Sequence, residues 1–563
     1  MSASLATLAL PTPAAENHEL VEALSSKRGL IMATPDMRRL RRAFDAATTD
    51  DSFADALTEL GNVWPQLVGA EGSRIRNLLD SAPQELWQSD PWLVTCYAAS
   101  FRSVEATNRS AALPYFEASL ALLDPATPAI VRATHHVHHA AALRSLGRLD
   151  DALASITIAS STVESADVIP LAKRIPLTAQ IALHRGAIFL HRGDFDRAKS
   201  DYRVAGSLAE KNLSVADQLE VFGGLALIQY LLGNFEQALN CVARAESAGA
   251  SQELRSSRFN APALATELLI AVNQQGSEFA HGKIAKLQLS TVESDWEPLG
   301  LFAQAFAEYF AGHPYDGLDL LRSAQHSLDE WNPVNFVAAE IGELRAKTFL
   351  QLGDLGAAWD VLGQLTPTQH HTVCPNRLIA NLRFAAGDYR GALDALHECT
   401  ALGDAHSTRT LADVFLFTAA ANYRLSSEET SDVAFDRSLR LVARNRLLSP
   451  WRLFPSETLQ SLLGRAATRS QPHEVDALIS RLGGATVATH RSVSLSLSNR
   501  ERAIARELIR GSSSAEIAQS LFISVNTVKS HLKNIYRKLG VTSRADAVYK
   551  SRELGLQVEI TRD

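Results

Sequence analysis

Lys529, Ser530 and Lys533 fall within one short stretch and offer ammonium and hydroxyl groups that could hydrogen-bond a nucleic acid. The stretch also carries apolar residues at spacings of four, three and four: Val528, Leu532, Ile535 and Leu539. On a helix these apolar residues would share one buried stripe, and the three polar residues would lie away from it. The pattern predicts a helix with a basic, hydroxyl-bearing face.

A shorter predicted helix precedes this one and is joined to it by a tight turn. Ser513 and Glu516 form a capping box at its start, and Ser524 is the expected N-cap of the longer helix. A short helix that crosses the DNA backbone, followed by a longer one in the major groove, is the helix-turn-helix arrangement. The alternative is an ordinary amphipathic helix pair with a solvated charged face.

The flanking sequence favours the helix-turn-helix interpretation. Two more capping patterns surround the pair: Ser498 with Glu501, and Ser543 with Asp546. Gly511 and Gly540 mark tight turns between the predicted helices. Four short helices joined in this way would form a compact module, which a generic solvated helix pair does not need.

These patterns belong to one long motif string: Leu497-Ser498-x-Arg500-Glu501, Gly511-x-Ser513, Glu516-Ile517-Ala518, Ile523-Ser524, Thr527-Val528-Lys529-x-His531, Asn534-Ile535, Lys538-Leu539-Gly540-Val541 and Arg544-x-x-Ala547-Val548. The string resembles the LuxR/GerE-type DNA-binding domain of bacterial transcription regulators, over about residues 495–557. The resemblance implies a four-helix domain that binds double-stranded DNA.

The resemblance also implies roles for the residues at matching positions. The third helix, at about 525–538, would enter the major groove, with base contacts from Lys529, Ser530 and Lys533; lysine suits the O6 and N7 acceptors of guanine. Phosphate contacts would come from Thr527, Arg537 and Lys538, although these could equally be ordinary solvated helix residues. The fourth helix, at about 543–554, would pair with its copy in a homodimer on a two-fold symmetric DNA site, through Ala547, Val548 and Ser551.

The charge distribution separates this module from the rest of the chain. Residues 491–563 have a net charge of +6, whereas the whole chain has a net charge of −7, so residues 1–490 carry −13. A basic tip on an acidic body is typical of a DNA-binding domain attached to a region that does not bind DNA.

Residues from about 36 to 482 are rich in alanine and leucine and show helical periodicity with almost no strand-like alternation. The phrase Gly-x-apolar-x-x-small recurs at Gly147, Gly193, Gly233, Gly353 and Gly387, with looser copies at Gly276 and Gly312. Successive copies lie 34–46 residues apart, which indicates a solenoid of helical hairpins. In each copy we expect a left-handed glycine to end one helix, an acidic or amide residue to cap the next, and the small residue to allow close packing. The pattern resembles tetratricopeptide-type repeats; a helical bundle without a true repeat is the alternative.

Candidate metal ligands occur in two places outside the module. The cysteines are scattered and form no Cys-x-x-Cys pair: Cys96, Cys241, Cys374 and Cys399. His135 and His139 have the spacing of a helical metal-binding pair, but no acidic third ligand stands at a matching offset. The stretch His370-His371-x-x-Cys374 is explained equally well by a loop or a helix end. The sequence therefore predicts no metal and no cofactor.

The remaining features argue against an enzyme or a membrane protein. The chain has no phosphate-binding loop of the form Gly-x-x-x-x-Gly-Lys-Ser/Thr, no receiver-like alternation of strands and helices, and no recognisable catalytic constellation. It lacks a basic segment before its mild N-terminal apolar run, and no apolar stretch is long enough to span a bilayer. We expect a soluble cytoplasmic protein that is not an enzyme.

The predicted organisation has five parts: a loosely ordered N-terminus (1–35), a helical-repeat region (36–482), a linker (483–496), the DNA-binding domain (497–557) and a tail (558–563). The predicted fold is all-α, an α-solenoid followed by a four-helix helix-turn-helix domain. The predicted function is sequence-specific transcription regulation as a dimer, by activation, with RNA polymerase as a candidate partner and an unknown small molecule or protein as effector on the repeats. The alternative is an interaction scaffold whose C-terminal module mainly mediates dimerisation.

Overall fold

The computed structural model describes residues 34–551 except for 103–109, 166–168, 278–279, 293, 332–334, 353, 448–453, 455, 470–471, 485–498, 522, 540, 542, 545–546 and 549–550. Most of the described residues are helical, and none of them forms a strand. The all-α prediction is confirmed. The predicted loose N-terminus, linker and tail lie almost entirely outside the described residues, although the last repeat-region helix continues to Gly484, past the predicted start of the linker at 483.

The helices before residue 276 are α1 Pro35–Ala46, α2 Asp50–Ser81, α3 Pro91–Ala99, α4 Leu113–Leu122, α5 Ala129–Ser145, α6 Leu149–Ser165, α7 Leu171–His191, α8 Phe195–Asn212, α9 Val215–Leu231, α10 Phe235–Ser247, α11 Gln252–Arg255 and α12 Ala261–Gln275. They continue as α13 His281–Thr291, α14 Glu297–Ala311, α15 Pro314–Trp331, α16 Phe336–Leu352, α17 Leu355–Leu362, α18 Pro375–Ala385, α19 Tyr389–Leu402, α20 Thr408–Arg424, α21 Glu428–Asn445, α22 Ser456–Ala466 and α23 His473–Gly484. The C-terminal module contains α24 Asn499–Ile509, α25 Ser514–Ser520 and α26 Val525–Leu539. Short 3-10 turns lie at Gln84–Leu86, Ser100–Arg102, Ser110–Ala112, Arg258–Asn260, Gln369–His371 and Gly403–Ala405.

The chain divides into two compact units. The first comprises Met1–Val272, Glu278–Gln304 and Ser323–Ala338, and the second comprises Asn273–Ser277, Ala305–Arg322 and Ala339–Asp563. In the first unit the antiparallel pairs α5–α6, α7–α8 and α9–α10 follow one another, and each pair also packs on the next. In the second unit α18–α19 and α20–α21 do the same. Stacking of successive hairpins is the packing that a helical-repeat protein uses to bury its apolar faces.

The recurring glycines have the predicted conformation. Those that the structure describes all have positive φ: Gly147, Gly193, Gly233, Gly276, Gly312 and Gly387. Gly147, Gly193, Gly233 and Gly387 lie in the turn of a packed helix pair. After Gly193, for example, the N–H of Asp194 donates to the carbonyl oxygen of Phe189 at 3.0 Å. The small residues of the phrase are fully buried: Ala152, Ala198, Ala238, Ala358 and Ala392. The hairpin repeat is therefore confirmed.

The predicted caps hold at some turns and not at others. Asp194, Asp354 and Asp388 each accept a backbone N–H of the following helix. Asn234 does not; its side-chain amide donates instead to Oε1 of Gln229 at 3.0 Å. One further turn of the same kind was missed because it has no glycine: Ser426 has φ 60°, and the N–H of Ser427 donates to the carbonyl oxygen of Asn422 at 2.9 Å.

Two Gly→Ala substitutions in the second unit should have opposite effects on stability. Gly387 has φ 81° and an added Cβ would meet nothing within 4 Å, so Gly387→Ala should cost about 1–2 kcal/mol through backbone strain alone. Gly464 lies within α22 at an equally open position and without positive φ, so Gly464→Ala should stabilise by about 0.5–1 kcal/mol. Urea denaturation of the full chain measures both values. Effects of the same sign would contradict the assignment of Gly387 as a left-handed hairpin turn.

A cluster of buried charges ties together several elements of the first unit. It contains three arginines and three carboxylates: Arg102, Arg144, Arg258, Asp217, Glu220 and Asp295. Arg144 on α5 pairs with Glu220 on α9 and, at 3.3 Å, with Asp295. Burial would raise the pKa of Glu220, but Arg102 and Arg144 outweigh it and lower that pKa to about 2. Because the charges balance, each ion depends on its partners for the solvation that burial removes.

The histidine run 135–139 lies on α5. His138 packs against Trp64, with ring centroids 5.1 Å apart. The predicted pair His135 and His139 is joined by His136, and the ligand-type nitrogens of these three lie within 4.8 Å of one another. His135 lies 3.1 Å from the hydroxyl of Ser119, and the other two lie near the hydroxyl of Ser155. Each of the three histidines therefore has a serine hydroxyl near its Nδ1 atom, while Nε2 of His135 is buried without a hydrogen-bond partner.

Candidate nucleic-acid interface

The C-terminal module has a hydrophobic core of its own. Its buried members are Ile504, Leu508, Ile517, Ala518, Val528, Leu532, Ile535 and Ala547, and the described hydrophobic side chains packed on them come from the same segment. The core therefore joins α24, α25 and α26 to the residues that follow, and it fixes the direction in which α26 presents its polar side.

The local signals at the start of α25 act as predicted. Ser513 and Glu516 form a complete capping box, in which the N–H of Ser513 donates to Oε2 of Glu516 at 2.6 Å. That hydrogen bond lowers the pKa of the Glu516 carboxyl. Gly511 has φ 86° and ends α24, so the tight turn predicted there is confirmed. The capping patterns at 498 and 546 and the turn at Gly540 lie outside the described residues.

α26 separates its apolar and polar residues onto different faces. Ser524 caps the helix, since its hydroxyl accepts the N–H of Thr527 at 3.1 Å. Val528, Leu532 and Ile535 are buried, which confirms these three members of the predicted stripe; the side chain of the fourth, Leu539, lies outside the described residues. The three base-contact candidates, Lys529, Ser530 and Lys533, are all exposed. The structure thus brings two ammonium groups and a hydroxyl together on the solvent side of one rigid helix.

The phosphate-contact candidates have different surroundings. Thr527 is exposed in the first turn of α26, and its hydroxyl lies 2.8 Å from that of Ser524. The backbone N–H groups and positive dipole end of this turn favour an anion. Arg537 and Lys538 belong to the last turn of α26, but their side chains lie outside the described residues.

The residues predicted for the dimer helix turn inward. Arg544, Ala547, Val548 and Ser551 are helical, in agreement with a fourth helix. However, Ala547 belongs to the core of the module and is fully buried, as is Ser551, while Val548 is half-buried against the same core. Helical periodicity alone did not show which apolar face the core would use. Ala547 and Ser551 therefore present no surface to a second chain in this structure, and the choice of these two residues needs correction.

One residue had a place in the motif but no predicted role. The guanidinium of Arg544, in the fourth helix, donates to the backbone carbonyl of Ser512, in the turn between α24 and α25. It thereby fixes the fourth helix to the start of the helix-turn-helix pair. The sequence could not predict this hydrogen bond, because a side chain and a backbone carbonyl that lie 32 residues apart produce no recognisable residue spacing.

Comparison with known proteins agrees with this geometry. Residues 495–551 match the family described as bacterial regulatory proteins, luxR family. The chain is 52% identical over 52 residues to the probable csgAB operon transcriptional regulatory protein of Salmonella typhimurium, and 47% identical over 68 residues to the probable transcriptional regulatory protein SgaR of Hyphomicrobium methylovorum. These matches cover 9% and 12% of this chain, and 24% and 29% of the relatives. The chain therefore matches only about a quarter of the length of each of these relatives.

The helical repeats have more distant structural neighbours. The crystal structure of a Rap protein complexed with competence and sporulation factor aligns with 64% of this chain and 99% of its own, with 12% identity and a TM-score of 0.44. This similarity is too low to support any statement about function. None of the described helices combines enough length and apolar character to cross a bilayer.

Proposed function

We propose that this chain, whose residues 495–551 are a luxR-family domain, is a sequence-specific DNA-binding transcription regulator and not an enzyme. The observation that carries the proposal is the exposed side of α26, where Lys529, Ser530 and Lys533 stand opposite the buried stripe. Lysine ammonium groups can donate to the O6 and N7 atoms of guanine, and serine can hydrogen-bond several base edges. The geometry supports insertion of α26 into a major groove.

Phosphate contacts would orient the domain on the duplex. Thr527 can donate its hydroxyl to a phosphate at the start of α26, and Arg537 and Lys538 would contact phosphates near its end. The net charge of +6 over residues 491–563 would add attraction that does not depend on DNA sequence. This attraction would weaken as the salt concentration rises, because the release of counterions from the DNA then gains less free energy.

The proposed active form is a homodimer on a two-fold symmetric DNA site. The fourth helix would supply the contact through side chains other than the buried Ala547 and Ser551, with half-sites about 34–36 Å apart or a multiple of that distance. The helical repeats would bind a small molecule or protein effector that changes how two domains pair. RNA polymerase would be a further partner if the protein activates transcription.

The test is selection of genomic DNA fragments by the full-length protein, compared with a Lys529→Ala, Lys533→Ala double variant. The wild type should recover a two-fold symmetric motif, and the variant should lose it, because each lost base contact costs about 1–3 kcal/mol. A matched control removes two exposed lysines from the repeats, Lys173→Ala and Lys211→Ala, and should leave the motif unchanged. If wild type and double variant recover the same salt-sensitive background, the module does not recognise bases, and an interaction scaffold becomes the better explanation.

A further inference from the structure

Four metal-ligating side chains converge in the second unit. His371, Cys374, Cys399 and His406 are all buried, and each brings one ligand atom to within 4.8 Å of the other three. They come from three segments: the turn before α18, the last turn of α19, and the loop before α20. The sequence had drawn attention only to His370, His371 and Cys374; the fold adds the other cysteine and histidine.

The distances fit a tetrahedral metal. Sγ of Cys374 lies 3.5 Å from Sγ of Cys399, which lies 3.5 Å from Nδ1 of His371. In a tetrahedral zinc site, bonds of about 2.3 Å to sulfur and about 2.0–2.1 Å to nitrogen put neighbouring ligand atoms roughly 3.3–3.8 Å apart. Cys374, Cys399 and His371 are therefore spaced much as they would be around an ion, and His406 brings a ring nitrogen to within 4.8 Å of them.

His406 is oriented like a metal ligand. Its Nδ1 lies 3.1 Å from the carbonyl oxygen of Ser407 and 3.3 Å from the hydroxyl of Thr410. Its Nε2 is buried without a hydrogen-bond partner, on a residue that is only 2% exposed. A carbonyl that holds one ring nitrogen as the donor leaves the other nitrogen with its lone pair, which is how metal-bound histidines are commonly held.

The backbone around the cluster is held in an unusual conformation. His370 and His371 both have positive φ, at 55° and 49°, which is uncommon for residues other than glycine. The two loops are tied together: the N–H of Ser407 donates to the carbonyl oxygen of His370 at 2.6 Å, and the hydroxyl of Thr410 donates to that of His371 at 2.7 Å. Strained backbone that the surrounding contacts enforce occurs most often at functional sites.

We propose that His371, Cys374, Cys399 and His406 form a structural site for one Zn²⁺ ion. Thiolate and imidazole ligands select a soft or borderline ion over magnesium or calcium, and four protein ligands leave no open position for substrate. Two thiolates would balance the charge of the ion in this buried place. The ion would bind the loop before α18 to the end of α19 and the start of α20, so that it fixes the connections between successive hairpins.

The first measurement is the metal content of the full-length protein, purified with a thiol reductant and without chelators. Wild type should contain close to one zinc per chain by elemental mass spectrometry. Cys374→Ser and His406→Gln should each lose it. Two matched controls should retain it: Cys241→Ser, on α10, and His397→Gln, an exposed histidine two residues before Cys399 on the same helix.

A second measurement does not depend on whether the variants fold. Wild-type protein freed of metal under reducing conditions is titrated with Co²⁺, which should give the intense visible absorption of tetrahedral cobalt and a thiolate charge-transfer band at one equivalent. Absence of both zinc and this spectrum in the wild type overturns the proposal. The alternative is a disulfide between Cys374 and Cys399. Protein that is metal-free as isolated without reductant, and whose intact mass is lower by two hydrogens because these two cysteines are joined, also overturns the proposal.

Discussion

Arg144→Met is expected to destabilise the helical repeats by about 3–5 kcal/mol, because removal of one member of a buried charge cluster leaves its partners unpaired. The Arg144 side chain is fully buried, as is Asp295, one of its two carboxylate partners. Methionine preserves much of the volume and apolar stem, so the loss reports on charge rather than on a cavity. Urea denaturation followed by circular dichroism measures the difference.

An exposed arginine in the same hairpin provides the control. Arg148 pairs with Asp151 at 2.8 Å, but both side chains are more than half exposed. Arg148→Met should therefore change stability by less than about 1 kcal/mol. Equal effects of the two substitutions would show that the buried cluster does not depend on Arg144.

Acidification from pH 7 to pH 5.5 is expected to destabilise the same region by roughly 5 kcal/mol, because each of four buried histidines contributes about 1.3 kcal/mol over this interval, most of it below pH 6.5. Burial lowers the pKa of His135, His138 and His191 to about 3 and that of His184 well below its ordinary value. It is a larger cause of these shifts than any neighbouring charge. Below pH 6.5 the unfolded chain binds protons at these histidines and the folded chain does not. Stability is therefore fully present above pH 6.5 and is lost as the pH falls toward the pKa values of the folded state.

The pH dependence of the unfolding free energy tests this prediction, and one histidine can be removed from it. His138 has both ring nitrogens buried without a hydrogen-bond partner, so His138→Leu removes a titrating group without breaking a bond. The variant should reduce the slope of stability against pH by up to about one proton. A flat stability profile of the wild type between pH 7 and 5.5 would show that these histidines are not buried as neutral groups.

Features encoded by neighbouring residues could be predicted from the sequence. The capping box at Ser513 and the hairpin turns at Gly193 and Gly387 depend on contacts between residues a few positions apart, so their residue types reveal them. The exposed basic side of α26 followed from helical periodicity in the same way. The inward side of the fourth helix did not, because the choice between two apolar faces depends on how other helices pack on it.

Features built from distant residues were beyond sequence reasoning. Arg144 and Asp295 are 151 positions apart, and nothing in either segment indicates the other. Cys374 and Cys399 are 25 positions apart and lie on opposite sides of a hairpin turn, so no short spacing marks them as a pair. Buried polar clusters of this kind can be identified only from the folded structure, in which the packing of the hairpins brings the distant segments together.

A core closed within the C-terminal module also has an evolutionary consequence. Among the described residues, every apolar side chain in that core comes from the module itself, so we expect the module to keep its fold when its gene segment is moved. Under the proposed function, recombination with a junction in residues 485–498 would exchange the helical-repeat region and preserve the DNA-binding domain. The same property makes this module a natural building block for chimaeric regulators.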